Sequence, residues 1–418
     1  MRICIIAFVV PQHSIGGMQD HTRDLGRGLV RAGHEVEVIT SRHPEGKREE
    51  HVDGVRYIFV DAPRYQYHPV WLRESYAEFV RLHAERPFDV LHSESSSAVE
   101  HVRRGVHRRV PVVVMNHGAL LGLAKAQLKS ALRTRRPVPL LRAIRGVQWL
   151  ATHKHFRHGN WYRFRACEVI VPSRQQVKDV RRSSLLKQSR VHVVPNGIDT
   201  ELFRPTPPAE ARAQLGLEHG SLFACVGRLA REKGIHHAVA ALALLEGEAS
   251  SARLVVVGDG EERGRLEGQA RQLGVDRRVT FVGAQPQEKV ALYLAAADAF
   301  LFPTERDEAA PLVLPQAMAC ARPVVASRTG GITEVIGGSG EYGVLVPPGD
   351  VPALTQAMRT LLNDEQLRMR LGEAARGRVL EEYTIERMTE RTLAVYEVAR
   401  DRLLRSSGGL MSSGRIAS

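Results

Sequence analysis

The chain opens on an unbroken apolar run, Ile3–Val10, which suits a strand covered on both faces of a sheet. The loop PQHSIGG follows. Leu25, Leu29 and Val30 then fall at helical spacing within Met18–Ala32. Gly33 and His34 end that helix, and Val36–Thr40 reads as a second strand. Strand, helix and strand in this order open a parallel, doubly wound α/β sheet. Further short apolar runs follow at Val55–Val60, Val90–His92, Val110–Met115, Val169–Val171 and Val191–Val194. The turn Pro195-Asn196-Gly197 and the prolines at 205, 207 and 208 interrupt the series and mark a domain boundary. A second series comprises Leu222–Val226, Leu254–Val257, Val279–Val282, Ala299–Phe302, Val324–Ala326 and Gly343–Val346. Leu354, Ala357, Met358, Leu361 and Leu362 define an amphipathic helix after it. A last helix is expected around Ile385, Met388, Leu393, Tyr396 and Ala399.

The expected organisation is therefore an α/β domain over residues 1–200 and another over 201–382, with a cleft between them. A terminal helix, 383–405, crosses back to the first domain, and a small, polar tail, 406–418, is disordered.

Composition narrows the class. Of 418 residues, 43% are hydrophobic and 25% charged, which is enough apolar content to build cores and excludes wholesale disorder. Lys plus Arg is 59 against 46 Asp plus Glu, so the net charge is +13 and an anionic partner or surface is expected. The four cysteines, Cys4, Cys167, Cys225 and Cys320, have neither zinc-ligand nor disulfide-framework spacing. Reduced thiols in a cytoplasmic protein are the simplest reading. No apolar run is long enough for a membrane-spanning helix.

Two stretches carry the chemistry. In ACVGRLAREKG a strand ends at Val226, Gly227 permits a tight turn, and Arg228 and Lys233 follow. Two cations near the mouth of a helix suit a diphosphate, although a solvated basic loop has the same composition. In PTERDEAAPLVLPQAMACARPVVASRTGGITE, Glu308 precedes an apolar helix that carries Gln316. A strand and a glycine turn, Gly330-Gly331, come next.

Together these stretches resemble the retaining glycosyltransferases of family 4. Glu308, Leu312, Ala317, Met318, Ala319, Pro323–Ala326, Gly330, Gly331 and Glu334 match that family's long carboxy-terminal signature. GRLAREKG, IGG with GHEV, Asn116-His117-Gly118, VPNGID and VVGDGEER fall in the family's order over roughly residues 1–400. The resemblance implies the GT-B fold, two Rossmann-like doubly wound domains facing a cleft. The first binds the acceptor and the second a nucleotide-sugar donor. It implies that Arg228 and Lys233 hold the donor diphosphate and that Glu308 binds donor-sugar hydroxyls. Gln316 takes the position of the ribose-gripping carboxylate. Gly227 and the backbone at Leu312 and Val313 meet phosphate, and Val282, Gly283 and Ala284 line the base pocket. Gly16 and Gly17 let the amino-terminal loop approach donor or acceptor, and His117 lies beside the donor sugar.

Three positions depart from the family pattern: Gln316 for glutamate, Ala309 and Pro311 for glycines, and Ala321 for glycine. Pro311 removes an N–H that could meet phosphate. No Asp-x-Asp arrangement is placed to hold a metal on a diphosphate, so no metal and no other cofactor is expected. No second carboxylate suggests a double displacement. The family's front-face mechanism, in which the leaving phosphate assists deprotonation of the acceptor, is the one adopted.

Between Glu100 and Glu168 there is no acidic residue, and 15 Arg or Lys lie in 101–167. Leu121, Ala124, Leu128 and Leu132 share a helical face beside Lys125, Lys129 and Arg133, with Trp149 and Trp161 nearby. Such a basic amphipathic stretch, 120–165, fits docking on an anionic membrane surface, peripheral at its inner face, near a lipid-linked acceptor. It also fits a funnel for an anionic glycan acceptor, or a solvated or oligomer-forming face. The rival functions are a nucleotide-sugar epimerase, a sugar-phosphate-dependent synthase and a catalytically decayed partner subunit. Nucleic-acid binding lacks a supporting motif. A dinucleotide dehydrogenase lacks its glycine spacing.

Overall fold

The computed structural model describes residues 1–14, 16–65, 67–117, 167–183, 190–217, 220–338 and 340–412. The basic stretch 120–165 lies outside the described residues. The chain divides into two units, Met1–Gly197 with Ile385–Ser418, and Ile198–Thr384.

In the first unit the strands are β1 (Arg2–Ile6), β2 (Glu35–Thr40), β3 (Glu49–Val52), β4 (Val55–Phe59), β5 (Val90–Glu94), β6 (Val112–Met115), β7 (Glu168–Val171) and β8 (Val191–Val193). Among the described residues they form one sheet in the order β3-β4-β2-β1-β5-β6-β7-β8, parallel except for β3 on β4. Strand alternation splits β1 between two cores: Ile3 and Ile5 face one, Cys4 and Ile6 the other. Both faces are buried, which is why the run is apolar throughout. The first core takes Leu25 and Leu29 from the helix Gly17–Arg31 and Met388, Val395 and Tyr396 from the last helix. The second takes Trp71, Phe79 and Leu82 from the helix Pro69–Glu85. Residues 385 onward thus complete the core of the unit that the chain began.

Four details differ from the sequence reading. The first strand stops at Ile6. Ala7 N–H makes a last bond to the Ile39 carbonyl, and Val10 N–H turns to His13 Nδ1. Pro111 sets the start of β6 at Val112, since proline brings no N–H to the ladder. The edge strand β3, EEHV, has no apolar signal because it is largely exposed. The last helix, Ile385–Ser412, runs past Arg405 into the tail expected to be disordered. No proline breaks it there, and each glycine costs a helix only about 1 kcal/mol.

In the second unit the strands are β9 (Leu222–Val226), β10 (Arg253–Val257), β11 (Val279–Gly283), β12 (Ala299–Phe302), β13 (Val324–Ser327) and β14 (Val344–Val346). The order is β11-β10-β9-β12-β13-β14, all parallel. This is the doubly wound order, in which the chain reverses direction across the sheet between its first and fourth strands. One face carries Val239 and Leu242 from the helix Ile235–Ala243 and Leu354, Met358 and Leu361 from the helix Val351–Asn363. The other carries Leu294 and Met318.

Each sheet therefore has a switch point, β1/β5 in the first unit and β9/β12 in the second. Ligands of such sheets bind at the carboxyl ends of strands there. Among the described residues no helix is long and apolar enough to cross a membrane, and all four cysteines are buried and unpaired.

Candidate active site

At the switch point of the second unit, the loop after β9 carries Gly227, Arg228 and Lys233, and the loop after β12 carries Glu308. Backbone contacts clamp the two loops together. Glu305 N–H and the Thr304 hydroxyl both donate to the Glu232 carbonyl at 2.9 Å. Two glycines make the approach possible. Gly234, at φ +70°, lies where any Cβ would overlap the Pro303 carbonyl. Gly330, at φ +52°, lies where a Cβ would stand 2.5 Å from the Glu308 carbonyl oxygen, while Gly331 N–H donates to that oxygen at 2.8 Å. The loop Pro303–Glu308 is thus held from both sides.

Held in this way, the Glu308 carboxylate meets Lys233 Nζ at 2.8 Å, and the ammonium also lies 5.6 Å from the Phe302 ring centre. Both side chains are mostly buried, so the pair is screened less than a surface pair. Arg228 is different. It is exposed, 2.9 Å from Glu232 and 3.6 Å from Glu261, and does not reach Glu308. Leu312 caps, and Val313 begins, the short helix Val313–Ala319. Gln316 is buried within that helix, its amide donating to Gln287 Oε1 at 3.4 Å. Val282 and Gly283 end the edge strand β11 and Ala284 follows. Gly258 N–H binds the Gly283 carbonyl at 2.8 Å, and Gln285 binds that of Val282 at 2.7 Å.

In the first unit, Gly16 and Gly17 start the helix Gly17–Arg31 just beyond β1. His117 follows β6, and its Nε2 hydrogen-bonds Glu94 Oε2 at the carboxyl end of β5. Glu94 is fully buried. His21, from the helix, packs edge-on against His117 with ring centres 4.8 Å apart, and its Nε2 is 3.6 Å from Glu94 Oε1. His92 Nε2 is 3.5 Å from the same oxygen, and His92 Nδ1 bonds the Tyr396 hydroxyl at 2.9 Å. Burial holds His21 neutral, with its pKa pushed down to about 3. Burial opposes ionisation of Glu94. The surrounding imidazoles outweigh it and hold the carboxyl well below the usual range.

His21, His92, Glu94 and Tyr396 were not singled out from the sequence as site residues. The available signal was an acidic residue closing a fully buried strand, VLHSE. Among the described residues, two groups bring three metal-competent atoms within 4.8 Å of one another, His21 with Glu94 and His117, and His236 with His237 and Glu305. Their imidazole and carboxylate chemistry is compatible with a divalent transition ion.

Comparison with known proteins covers both units. The family described as Glycosyltransferase Family 4 matches residues 15–202, and that described as Glycosyl transferases group 1 matches residues 209–378. A D-inositol 3-phosphate glycosyltransferase of Frankia alni is 32% identical over 394 residues, spanning 87% of this chain and 90% of that protein. Sucrose-phosphate synthase from Thermosynechococcus elongatus is 28% identical, with a TM-score of 0.73 over 95% of this chain and 98% of that one. Anabaena HepE in complex with UDP and glucose shares the GT-B fold, with a TM-score of 0.72 at 20% identity over 95% of this chain and 100% of its own.

Proposed function

The chain belongs to the family 4, group 1 glycosyl transferases, and on that premise we propose that it moves a sugar from a nucleotide-diphosphate donor to an acceptor hydroxyl, with retention of configuration. The observation that carries this reading is the Lys233–Glu308 pair at the β9/β12 switch point. It sets a cation for phosphate beside a carboxylate for sugar hydroxyls. Lys233 and Arg228 neutralise the diphosphate as charge builds on it, an electrostatic role that needs no metal. Backbone N–H groups at Gly227, Leu312 and Val313 add to the phosphate contacts. Glu308 accepts from the donor sugar, and Gln316 hydrogen-bonds the ribose. Val282, Gly283 and Ala284 border the base. Gly16 and Gly17 let the backbone come close to donor or acceptor, and His117 serves the donor sugar.

In the front-face reaction the bond from the anomeric carbon to the phosphate oxygen breaks. The acceptor oxygen bonds the same face of that carbon, and the acceptor proton passes to the departing phosphate. The acceptor is an anionic glycan or a lipid-linked one. The acid-free basic stretch supports this, and so does the relative named for D-inositol 3-phosphate. The expected location is the cytoplasm, at the inner face of the membrane when the acceptor is lipid-linked.

A thermal-shift panel of UDP-, GDP- and ADP-sugars tests the donor site, since a ligand at 100 times its Kd stabilises the native state by about 2.7 kcal/mol. No shift with any of them counts against the reading. Flotation with anionic vesicles at low salt tests the membrane part, and an unbound protein rules it out.

A further inference from the structure

We infer that Glu94 is a positioning residue for His117: its buried carboxylate fixes the imidazole in the Nε2–H tautomer and leaves Nδ1 as the ring's acceptor. The inference rests on the reading that His117 serves the donor sugar.

Geometry comes first. Glu94 closes β5 at the β1/β5 switch point, where a ligand of the sheet is expected, and His117 follows the adjacent strand β6. Glu94 Oε2 is bonded to His117 Nε2. An ionised carboxylate can only accept, so Nε2 must carry the proton. The other oxygen, Oε1, stands 3.5 Å from His92 Nε2 and 3.6 Å from His21 Nε2. Both are longer than the bond to His117, and among the described residues Oε1 has no partner of good hydrogen-bond geometry. The bond to His117 is therefore the firm one.

Around it the ring has little freedom. His21 lies edge-on against the His117 imidazole. The His92 ring beneath is itself anchored through Nδ1 to Tyr396 of the last helix. If the Tyr396 hydroxyl donates to Nδ1, the His92 proton is on Nε2 and points its positive end at Glu94. One chain of polar groups then runs from the terminal helix through His92 and Glu94 to His117.

Stability does not explain the arrangement. A buried carboxylate with one oxygen unbonded, beside a His21 ring whose two nitrogens lack hydrogen-bond partners, is less favourable than an apolar side chain in the same volume. Such a buried polar cluster at the mouth of a switch point is the expected signature of a group held for function.

The full-length chain labelled with 15N-histidine tests this directly, with His117 identified by the signal lost in His117→Ala. The wild type is expected to show one His117 tautomer, protonated on Nε2. A wild-type ring protonated on Nδ1, or averaging between tautomers, overturns the inference without any variant having to fold. In Glu94→Gln the amide can donate as well as accept, and the His117 signal is expected to shift or average. In Glu94→Asp it is expected to return toward the wild-type form. An unchanged signal in a folded Glu94→Gln overturns the inference.

Turnover on the donor that the thermal panel selects separates this claim from the functional reading. Glu94→Gln is expected to lower kcat about 10–100-fold, the size seen when the outer partner of a metal-bound imidazole is removed and taken here by analogy, with KM for the donor little changed. Glu94→Asp is expected to recover part of it. If the tautomer responds to Glu94→Gln but His117→Ala keeps full kcat, the role of His117 in transfer is wrong and the positioning stands. If the purified protein carries a stoichiometric transition metal whose removal abolishes the Nε2–H signature, the cluster is a metal centre and the inference falls.

Discussion

Lys233 Nζ and Glu308 Oε1 lie 2.8 Å apart, an ion pair that ties the loop after β9 to the loop after β12 across 75 positions of sequence. Replacing Lys233 by Ala leaves a mostly buried carboxylate without its cation and, on the proposed reading, the donor diphosphate without one of its two. The expected loss in kcat is about 100–1000-fold, as for removal of a single transition-state charge stabiliser. A Lys233→Ala protein that turns over within about threefold of wild type would remove Lys233 from the reaction.

The same carboxylate depends on Gly330. Its φ of +52° is strained for other residues, and a Cβ there would stand 2.5 Å from the Glu308 carbonyl oxygen. Gly330→Ala is expected to destabilise the protein by about 1–3 kcal/mol in urea unfolding and to lower kcat by displacing Glu308. Gly338→Ala, where nothing stands within 4 Å of the added carbon, is the control, with an expected change within about 0.5 kcal/mol. Equal effects at the two positions would refute the steric account.

Gly28 lets the helix Gly17–Arg31 lie against the last helix. A Cβ on Gly28 would overlap Thr389 Oγ1 and come 2.9 Å from Ile385 Cγ2. Gly28→Ala should destabilise the chain by about 1–3 kcal/mol, and adding Thr389→Ala should restore part of it, because the clash is with the Thr389 hydroxyl. Additive losses in the double variant would show that the two residues are not coupled.

His101 is fully buried against Tyr76 and Phe79, and burial pushes its pKa from 6.5 down to about 3. Between those values the unfolded chain binds a proton that the folded chain refuses, so acidification favours unfolding. The loss starts as the pH falls through 6.5 and grows until about 3. At pH 5 it amounts to roughly 2 kcal/mol for this residue. The stability difference between pH 7 and pH 5 should therefore shrink by about that much in His101→Leu. An unchanged difference would mean that His101 is not the acid-sensitive group.

Much of the fold is legible along the chain because a strand buried on both faces must be apolar throughout. β1, β6, β9 and β12 show this plainly, and the last two precede the loops that bear Lys233 and Glu308. Those loops were legible for a second reason: phosphate chemistry needs cations and tight turns close together in sequence, as Gly227, Arg228 and Lys233 are. β3 was not legible, since an exposed edge strand needs no apolar face. The environment of His117 was not legible either. Glu94 lies 23 positions away, and Tyr396 meets His92 across 304 positions, so no local spacing carries the arrangement. The sequence by itself determined the two α/β series of strands and the residues suited to phosphate. Only the tertiary structure decided that a buried carboxylate, three imidazoles and a tyrosine of the last helix meet at one of those switch points. Burial and long-range packing, which no single stretch of chain records, give those polar groups their partners.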